Sequence, residues 1–449
     1  MLEKITYYVE KFVQRRIFFI MFVKKLNMDE ILNKIAPYNI WDGKILPIGY
    51  PRKEYTEKLI KFTGNRLVKI LMGQRRSGKS YIMRQLAMQL IDMGVERRNI
   101  LFINRELSAF DFLQTHNDLN KLIETYRKKI AVNGRVHIFI DEVQDIDGWE
   151  KTVNSLSQDY IFETEVFLSG SNSRLLSGEL ATLLSGRYVD MTVYPFSFSE
   201  YTGVMNEEKN RTSFLKYLKD GGLPELINLP DFDVKQRYVE GLRDSIMLKD
   251  IVRRYAIKDV ALLERIFSYL VNNASSMVSV TGIVKYMKGR GSKASYDTVA
   301  SYIEYLQEAF LLHKSVRYNI SGKELLGGNF KIYPNDQAYH NYLFPTAAYG
   351  RGYTLEGIVY LILLRKGYQV NTGVLHNAEV DFVATLGRRI LYVQVAYSVE
   401  DHPTAEREYG AFKGIKGEGE KILVTMDEDT FQMRDGVRHL SAWEFENFI

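Results

Sequence analysis

The chain has 449 residues, 46% hydrophobic and 26% charged. That is ordinary globular composition, which excludes disorder, collagen and coiled-coil rods as the main state and leaves room for roughly three domains. It has no cysteine, so disulfide scaffolds, cysteine-ligated zinc, iron–sulfur clusters and cysteine nucleophiles are excluded together, and a reducing, cytoplasmic setting is expected.

Net charge is +5. Most of it sits in residues 1–27, where Lys4, Lys11, Arg15, Arg16, Lys24 and Lys25 face only Glu3 and Glu10. The rest of the chain is near neutral, so the basic balance is poor evidence that the folded body binds nucleic acid. The apolar run Ile17–Val23, flanked by basic pairs, is far shorter than the ~20 residues of a membrane span. It has no small-residue cleavage site after it. It reads either as a weak amphipathic surface anchor or as an extension upstream of a start at Met28, and we favour the second. No membrane span is expected elsewhere.

From about 55 to 205, helical and strand patterns alternate. "EYTEKLIKFT" reads as a helix and "RLVKILMG" as a buried strand. Ser80–Met93 reads as a helix with Ile82, Leu86, Leu90 and Met93 near one face. "NILFIN", Val136–Ile140, Glu165–Gly170 and Tyr188–Val193 read as further strands. Alternation of this kind predicts a parallel sheet with helical crossovers. Residues 1–54 are left as an N-terminal extension and lead-in.

Between the first strand and its helix stands Gly73-Gln74-Arg75-Arg76-Ser77-Gly78-Lys79-Ser80, a full match to G-x-x-x-x-G-K-[ST]. Glycines let such a loop turn its backbone N–H groups onto phosphates, and the helix N-terminus adds partial positive charge. Lys79 would reach the β- and γ-phosphates of ATP, and the Ser80 hydroxyl would hold Mg²⁺. The strand Val136–Ile140 runs into Asp141-Glu142. At that position Asp141 would hold the metal through water, and Glu142 would polarise the attacking water. After the strand Glu165–Gly170, either Ser171 or Asn172 could orient that water; a plain helix cap suits both equally. Arg187, Arg253 and Arg254 are candidates to stabilise transition-state charge, from a neighbouring subunit or a lid, and Arg187 ranks first.

Residues 206–320 read as mostly helical, with "VKQRYVEGLRDSIMLKDIVRRY" as one long helix. Short helices around "GRGSKAS", followed by the strand "FLLHKSVRYN", suggest a winged-helix shape. Lys285, Lys288, Arg290 and Lys293 form a basic cluster there, suited either to DNA phosphates or to solvent. From about 321 the pattern is mixed again: a helix Thr354–Lys366, strands Tyr368–Val370, Glu379–Ala384 and Ile390–Val395, then a last helix and the strand "KILVTM".

Taken in order, "GQRRSGKS", "IFIDEVQDIDGWE", "SGSNSRLLSGELATLLSGRY", "YPFSFSEY", "GGLPE", "KIYPNDQAYHNYL" and "DFVATLGRRILYVQVAYS" resemble the AAA+-type ATPases of bacteria and archaea that carry an uncharacterised C-terminal domain, near the archaeal-type ATPases. The resemblance covers nearly the whole chain from about 40 onward. It implies an α/β chain with three parts: a P-loop NTPase core at 55–205, a helical, winged-helix-like lid at 206–320, and a restriction-endonuclease-like α/β domain at 321–449. It also strengthens Arg187 as the arginine. Against an endonuclease pattern, Glu356, Asp381 and Gln394 fit the metal-holding positions, but Ala396 falls where a lysine belongs, and Arg388 and Arg389 lie at an expected turn. Loss of the lysine predicts a catalytically degenerate domain. The expected activity is therefore ATP hydrolysis with Mg²⁺ that moves the lid and C-terminal domain. An ATP-regulated nucleic-acid effector and a nucleotide-sensing switch stand as alternatives. Expected partners are ATP, further copies of the chain, a protein client of unspecified kind and, through the basic cluster, DNA.

Overall fold

The computed structural model describes residues 28–449 apart from 177–183, 185, 346–349, 376–377 and 431–432. The run Ile17–Val23 lies outside the described residues, and Met28 is the first residue of the first described helix, Met28–Ile35.

Five short apolar segments build the first sheet: β1 (Val68–Met72), β2 (Ile100–Asn104), β3 (Val136–Asp141), β4 (Thr164–Gly170) and β5 (Tyr188–Thr192), in the order β2-β3-β4-β1-β5. All neighbours are parallel. β1, β3 and β4 are buried along their whole length, which is why they read as continuous apolar runs rather than alternating ones. The helix Lys79–Asp92 packs Ile82, Leu86 and Leu90 against Phe139 and Phe167 on one face. Leu119, Leu122, Tyr126 and Val153 of helices His116–Lys129 and Trp149–Gln158 cover the other. This is the P-loop NTPase core that the sequence predicts. Parallel strands gather the carboxyl ends of β1, β3 and β4 at one edge, where ligand sites of open sheets form.

At the opposite edge lies a buried ion network. Lys69 of β1 and His137 of β3 both contact the Glu165 carboxylate on β4, and Lys69 and Glu165 are essentially without solvent exposure. Gly64 N also donates to Glu165. Burial pushes the Glu165 carboxyl up, but His137 and Lys69 outweigh it and hold it below its ordinary value.

Helices Phe198–Met205, Arg211–Asp220, Phe232–Ile246, Val260–Asn272, Val280–Gly289 and Tyr296–Glu308 follow. The single long helix expected over 234–255 is interrupted: Met247–Val252 is a π-helical turn, and Arg253–Tyr255 resumes the α form. The wider turn leaves Asp250 buried, facing the first sheet. β6 (Leu312–Asn319) and β7 (Glu324–Pro334) then form an antiparallel hairpin, and Val278 bridges to Phe330.

The hairpin also enters a second sheet, ordered β12-β11-β10-β9-β8-β6-β7, with β8 (Gln369–Leu375), β9 (Ala378–Leu386), β10 (Arg389–Val395), β11 (Glu420–Thr425) and β12 (Val437–Ser441). The helix Arg351–Arg365 buries Leu355, Ile358, Val359 and Ile362 in the core beneath it. Among the described residues no helix is long and apolar enough to cross a membrane.

Glu165→Gln would leave Lys69 charged and buried without its partner, a change expected to cost about 3–5 kcal/mol. Because the carboxyl is depressed on folding, its contribution is present at neutral pH and lost as pH falls through that depressed value. Urea melts of the variant should therefore show a large deficit at pH 7 that shrinks in acid. A pH-independent deficit would contradict this.

Candidate functional site

β1 ends at Met72, and the loop Gly73–Gly78 turns into the helix that starts at Lys79. Gly73 has φ 151°, and a Cβ there would lie 2.2 Å from the Val193 carbonyl oxygen, so only glycine fits. Gly78, with φ 99°, caps the helix. The buried Lys79 ammonium donates to Gly73 O at 2.8 Å and to Gln74 O at 3.0 Å, and lies 3.6 Å from Glu142 Oε1.

The acidic pair arrives from β3, two places along the sheet. Ser169 of β4 donates its hydroxyl to Asp141 Oδ1 and accepts from Glu142 N. Ser80, the second residue of the following helix, also favours the ionised form of Asp141. Burial and the neighbouring Glu142 push the Asp141 carboxyl up, against Ser169, Ser80 and Lys79. Burial acts the same way on Glu142, but Lys79 and Arg75 outweigh it and hold that carboxyl below its ordinary value, ionised and able to accept a proton. Glu142 sits at φ 54°, a left-handed backbone that a side chain rarely adopts and that clusters at functional positions. Gln144 Nε2 donates to its second oxygen.

Of the candidates after β4, Ser171 lies beside Glu142 and donates to Asp250 Oδ1 at 2.9 Å. Asn172 is buried, and its Oδ1 accepts from Arg174 N at 2.7 Å, which is the capping geometry. Arg187 is exposed just before β5. Tyr188 pairs with Val68 at the start of β1, so Arg187 stands at the far end of the sheet from Lys79. Arg253 and Arg254 follow the π turn.

The remaining loop residues reach outward. Arg75 binds Asp250 through two nitrogens, at 2.7 and 3.0 Å, and Glu106 at 2.6 Å. Gln74 Oε1 accepts from Asn335 Nδ2 at 3.0 Å, and Asn335 Oδ1 meets His313 Nε2 at 2.7 Å. Burial holds His313 down at about 4, so it is neutral. Arg76 is exposed in a left-handed backbone, and the buried Ser77 accepts through its carbonyl from Arg52. A cleft of about 550 Å³ opens over the loop, between Lys79, Ser80 and Glu142 on one side and Arg237, Tyr238 and Gly241 on the other.

Sequence reasoning missed Arg52, Asp250 and the cleft wall on Phe232–Ile246. Arg52 is buried, grips Glu200 with two 2.7 Å bonds, and donates to Ser77 O at 2.8 Å and Tyr194 O at 3.0 Å. No motif marks it. Asp250 falls inside a continuous helical pattern that gives no sign of its inward aim.

In the second sheet the structure brings Glu356, Asp381 and Gln394 together, with Asp381 N donating to Gln394 Oε1 at 3.1 Å. Ala396 contributes its backbone to Val424, and Arg389 pairs with Glu420. Lys285, Lys288, Arg290 and Lys293 are all exposed.

Residues 65–202 match the model of an AAA domain, and residues 211–348 match a domain of unknown function (DUF8612). An uncharacterized protein of Haemophilus influenzae is 34% identical over 378 residues, covering 83% of this chain and 92% of that one. The chain belongs to the family of this protein, and it carries an AAA+-type P-loop ATPase domain. A second uncharacterized member-like sequence, from Methanocaldococcus jannaschii, is 29% identical over 373 residues, 80% of each chain. Among solved structures, the Walker-type ATPase of Pyrococcus abyssi is similar at 17% identity and TM-score 0.44, over 66% of this chain and 96% of that one. The ORC1 protein of Aeropyrum pernix, solved in complex with DNA, is similar at 12% identity and TM-score 0.34, over 68% and 96%. Both structural likenesses are remote.

Arg52 joins the phosphate loop to the turn after β5 and to Glu200. Arg52→Ala would strand a carboxylate and three carbonyls, so stability should fall by about 3–5 kcal/mol. Arg52→Lys should rescue little, because an ammonium cannot reproduce the planar fork. Thermal melts of the two variants check this; full rescue by lysine would contradict it.

Proposed function

We propose that this ATPase domain hydrolyses ATP and that the hydrolysis moves the lid and the C-terminal domain relative to the core. The observation that carries the reading is the convergence of Lys79, Ser80, Asp141 and Glu142 at one sheet edge under an open cleft.

The loop amides and the Lys79 ammonium would hold the β- and γ-phosphates, Lys79 exchanging its two backbone carbonyls for phosphate oxygens. Ser80 and Asp141 offer hard oxygen donors on neighbouring elements at the same sheet edge, a set that fits Mg²⁺. Magnesium, when bound, would neutralise charge developing on the phosphates. Glu142, ionised and close to Lys79, would take the proton of the attacking water. Asn172 would position that water, which requires it to leave its capping bond, with Ser171 the alternative. Arg187 would act on the site of a neighbouring copy, so this role implies a homo-oligomer.

The loop is wired to the parts expected to move. Arg75 is held by Asp250 of the helical region, and Gln74 by Asn335 at the end of β7. Phosphates bound beside Arg75 would compete with Asp250 for the same guanidinium. Each nucleotide state would thereby favour a different lid position.

A second reading, with DNA as partner, is favoured by one observation. The helices Val280–Gly289 and Tyr296–Glu308 with the β6–β7 hairpin have winged-helix order, and four basic residues stand exposed between and on the helices. The helix Tyr296–Glu308 shows Asp297 and Glu304 to solvent, so contact would run through the basic loop to phosphates.

Glu142→Gln should keep nucleotide binding and lower phosphate release by about 10²–10⁴-fold, the usual worth of a general base. Unchanged release would remove Glu142 from the reaction, and binding without release in the unaltered protein would favour a switch. Changing Lys288 and Arg290 to alanine should weaken retention of duplex DNA and flatten its salt dependence. No retention by the unaltered protein at low salt would end the DNA reading.

A further inference from the structure

The endonuclease-like pattern implies a divalent metal on Glu356, Asp381 and Gln394, and position 396 has no lysine to accompany it. The structure supplies a lysine from elsewhere. Lys331, on β7, is buried, and its ammonium lies 3.0 Å from Glu356 Oε1, 3.3 Å from Asp381 Oδ1 and 2.7 Å from Glu379 Oε1. It stands among the carboxylates rather than beside them.

Protein donors engage further oxygens of Asp381 and Gln394 as well. Asp381 Oδ2 accepts from Val395 N at 2.9 Å, and Glu356 Oε1 accepts a second bond from Tyr333 OH at 2.7 Å. Gln394 turns its oxygen onto Asp381 N at 3.1 Å and its nitrogen onto Glu408 Oε2 at 2.8 Å. A relocated catalytic lysine would leave Asp381 and Gln394 facing an open metal position. Here both Asp381 oxygens and the Gln394 oxygen are committed to protein donors. A hard divalent ion needs several free oxygens at about 2.0–2.6 Å, and it would have to share the space with an ammonium of like charge. Among the described residues no group of three or more acidic or histidine side chains is disposed to hold a metal. The residues present do not fit Mg²⁺.

We propose that Lys331 is the resident cation of this cluster, standing where a metal ion would stand. The site is an ion lock rather than a metal centre. It ties β7 of the hairpin to the helix Arg351–Arg365 through Glu356 and to β9 through Asp381. Since Asn335, the residue after β7, donates to Gln74 of the phosphate loop, the lock fixes a strand whose end meets that loop. The inference stands whether or not the chain hydrolyses ATP.

The test is Mn²⁺ binding to the full, nucleotide-free chain, read by electron paramagnetic resonance and calorimetry. The unaltered protein and Asp381→Asn should bind the same number of ions, since neither holds one at this cluster. Lys331→Met should gain one further Mn²⁺ ion, and the gain should disappear in the double variant Lys331→Met/Asp381→Asn. Loss of an Mn²⁺ ion in Asp381→Asn alone, or Mg²⁺-dependent nicking of supercoiled DNA that Asp381→Asn abolishes, would overturn the proposal. So would a folded Lys331→Met that gains no ion. If Lys331→Met does not fold, the comparison of the unaltered protein with Asp381→Asn decides the question alone.

Discussion

The phosphate loop depends on one close approach. Gly73 passes so near the Val193 carbonyl that no side chain is tolerated, and the loop that follows curves round the Lys79 ammonium. Everything polar at the edge of the first sheet is arranged around that curve. Lys79 is pulled inside it by two carbonyls, Glu142 is held in a strained backbone opposite, and Asp141 is pinned by Ser169 of β4. Three charged side chains are thus buried together. Burying charge is unfavourable unless it is paired, and the Lys79 ammonium is held by Glu142 and by the Gly73 and Gln74 carbonyls.

Support for the curve comes from three directions that are distant in sequence. Arg52 braces it from below with a guanidinium shared between Ser77 O, Tyr194 O and Glu200. Asp250 holds Arg75 from the helical region, and Asn335 holds Gln74 from the hairpin. Helix, hairpin and loop consequently form one bonded unit. The phosphate loop is thus in direct hydrogen-bonded contact with both neighbouring parts.

Much of this was legible in the sequence because it rests on local pattern. The motif at Gly73–Ser80, the acidic pair ending β3 and the five apolar strands each need only a window of a few residues. Strands buried on both faces leave continuous apolar runs, and the helix Lys79–Asp92 leaves its stripe. The rest was hidden for identifiable reasons. β7 begins with an exposed stretch containing Gly327 and Gly328 and only its last residues are buried, so it offers neither alternation nor an apolar run. The π turn at Met247–Val252 hides inside a good helical pattern, and with it the inward aim of Asp250. Arg52 and Lys331 act across 25 residues or more, to Ser77 and Glu356. An isolated cation in a sequence looks the same whether solvated or buried. In the C-terminal part, sequence placed Glu356, Asp381 and Gln394 near one another, while the lysine came from a strand that had not been foreseen.

The central claim is that the loop ending at Lys79 is a nest for a nucleoside triphosphate. Calorimetric titration of the purified chain with ATP and Mg²⁺ tests it most directly. The account predicts saturable binding by the unaltered chain and its loss in Lys79→Ala. Failure of the unaltered chain to retain nucleotide, or equal binding by the variant, would contradict it.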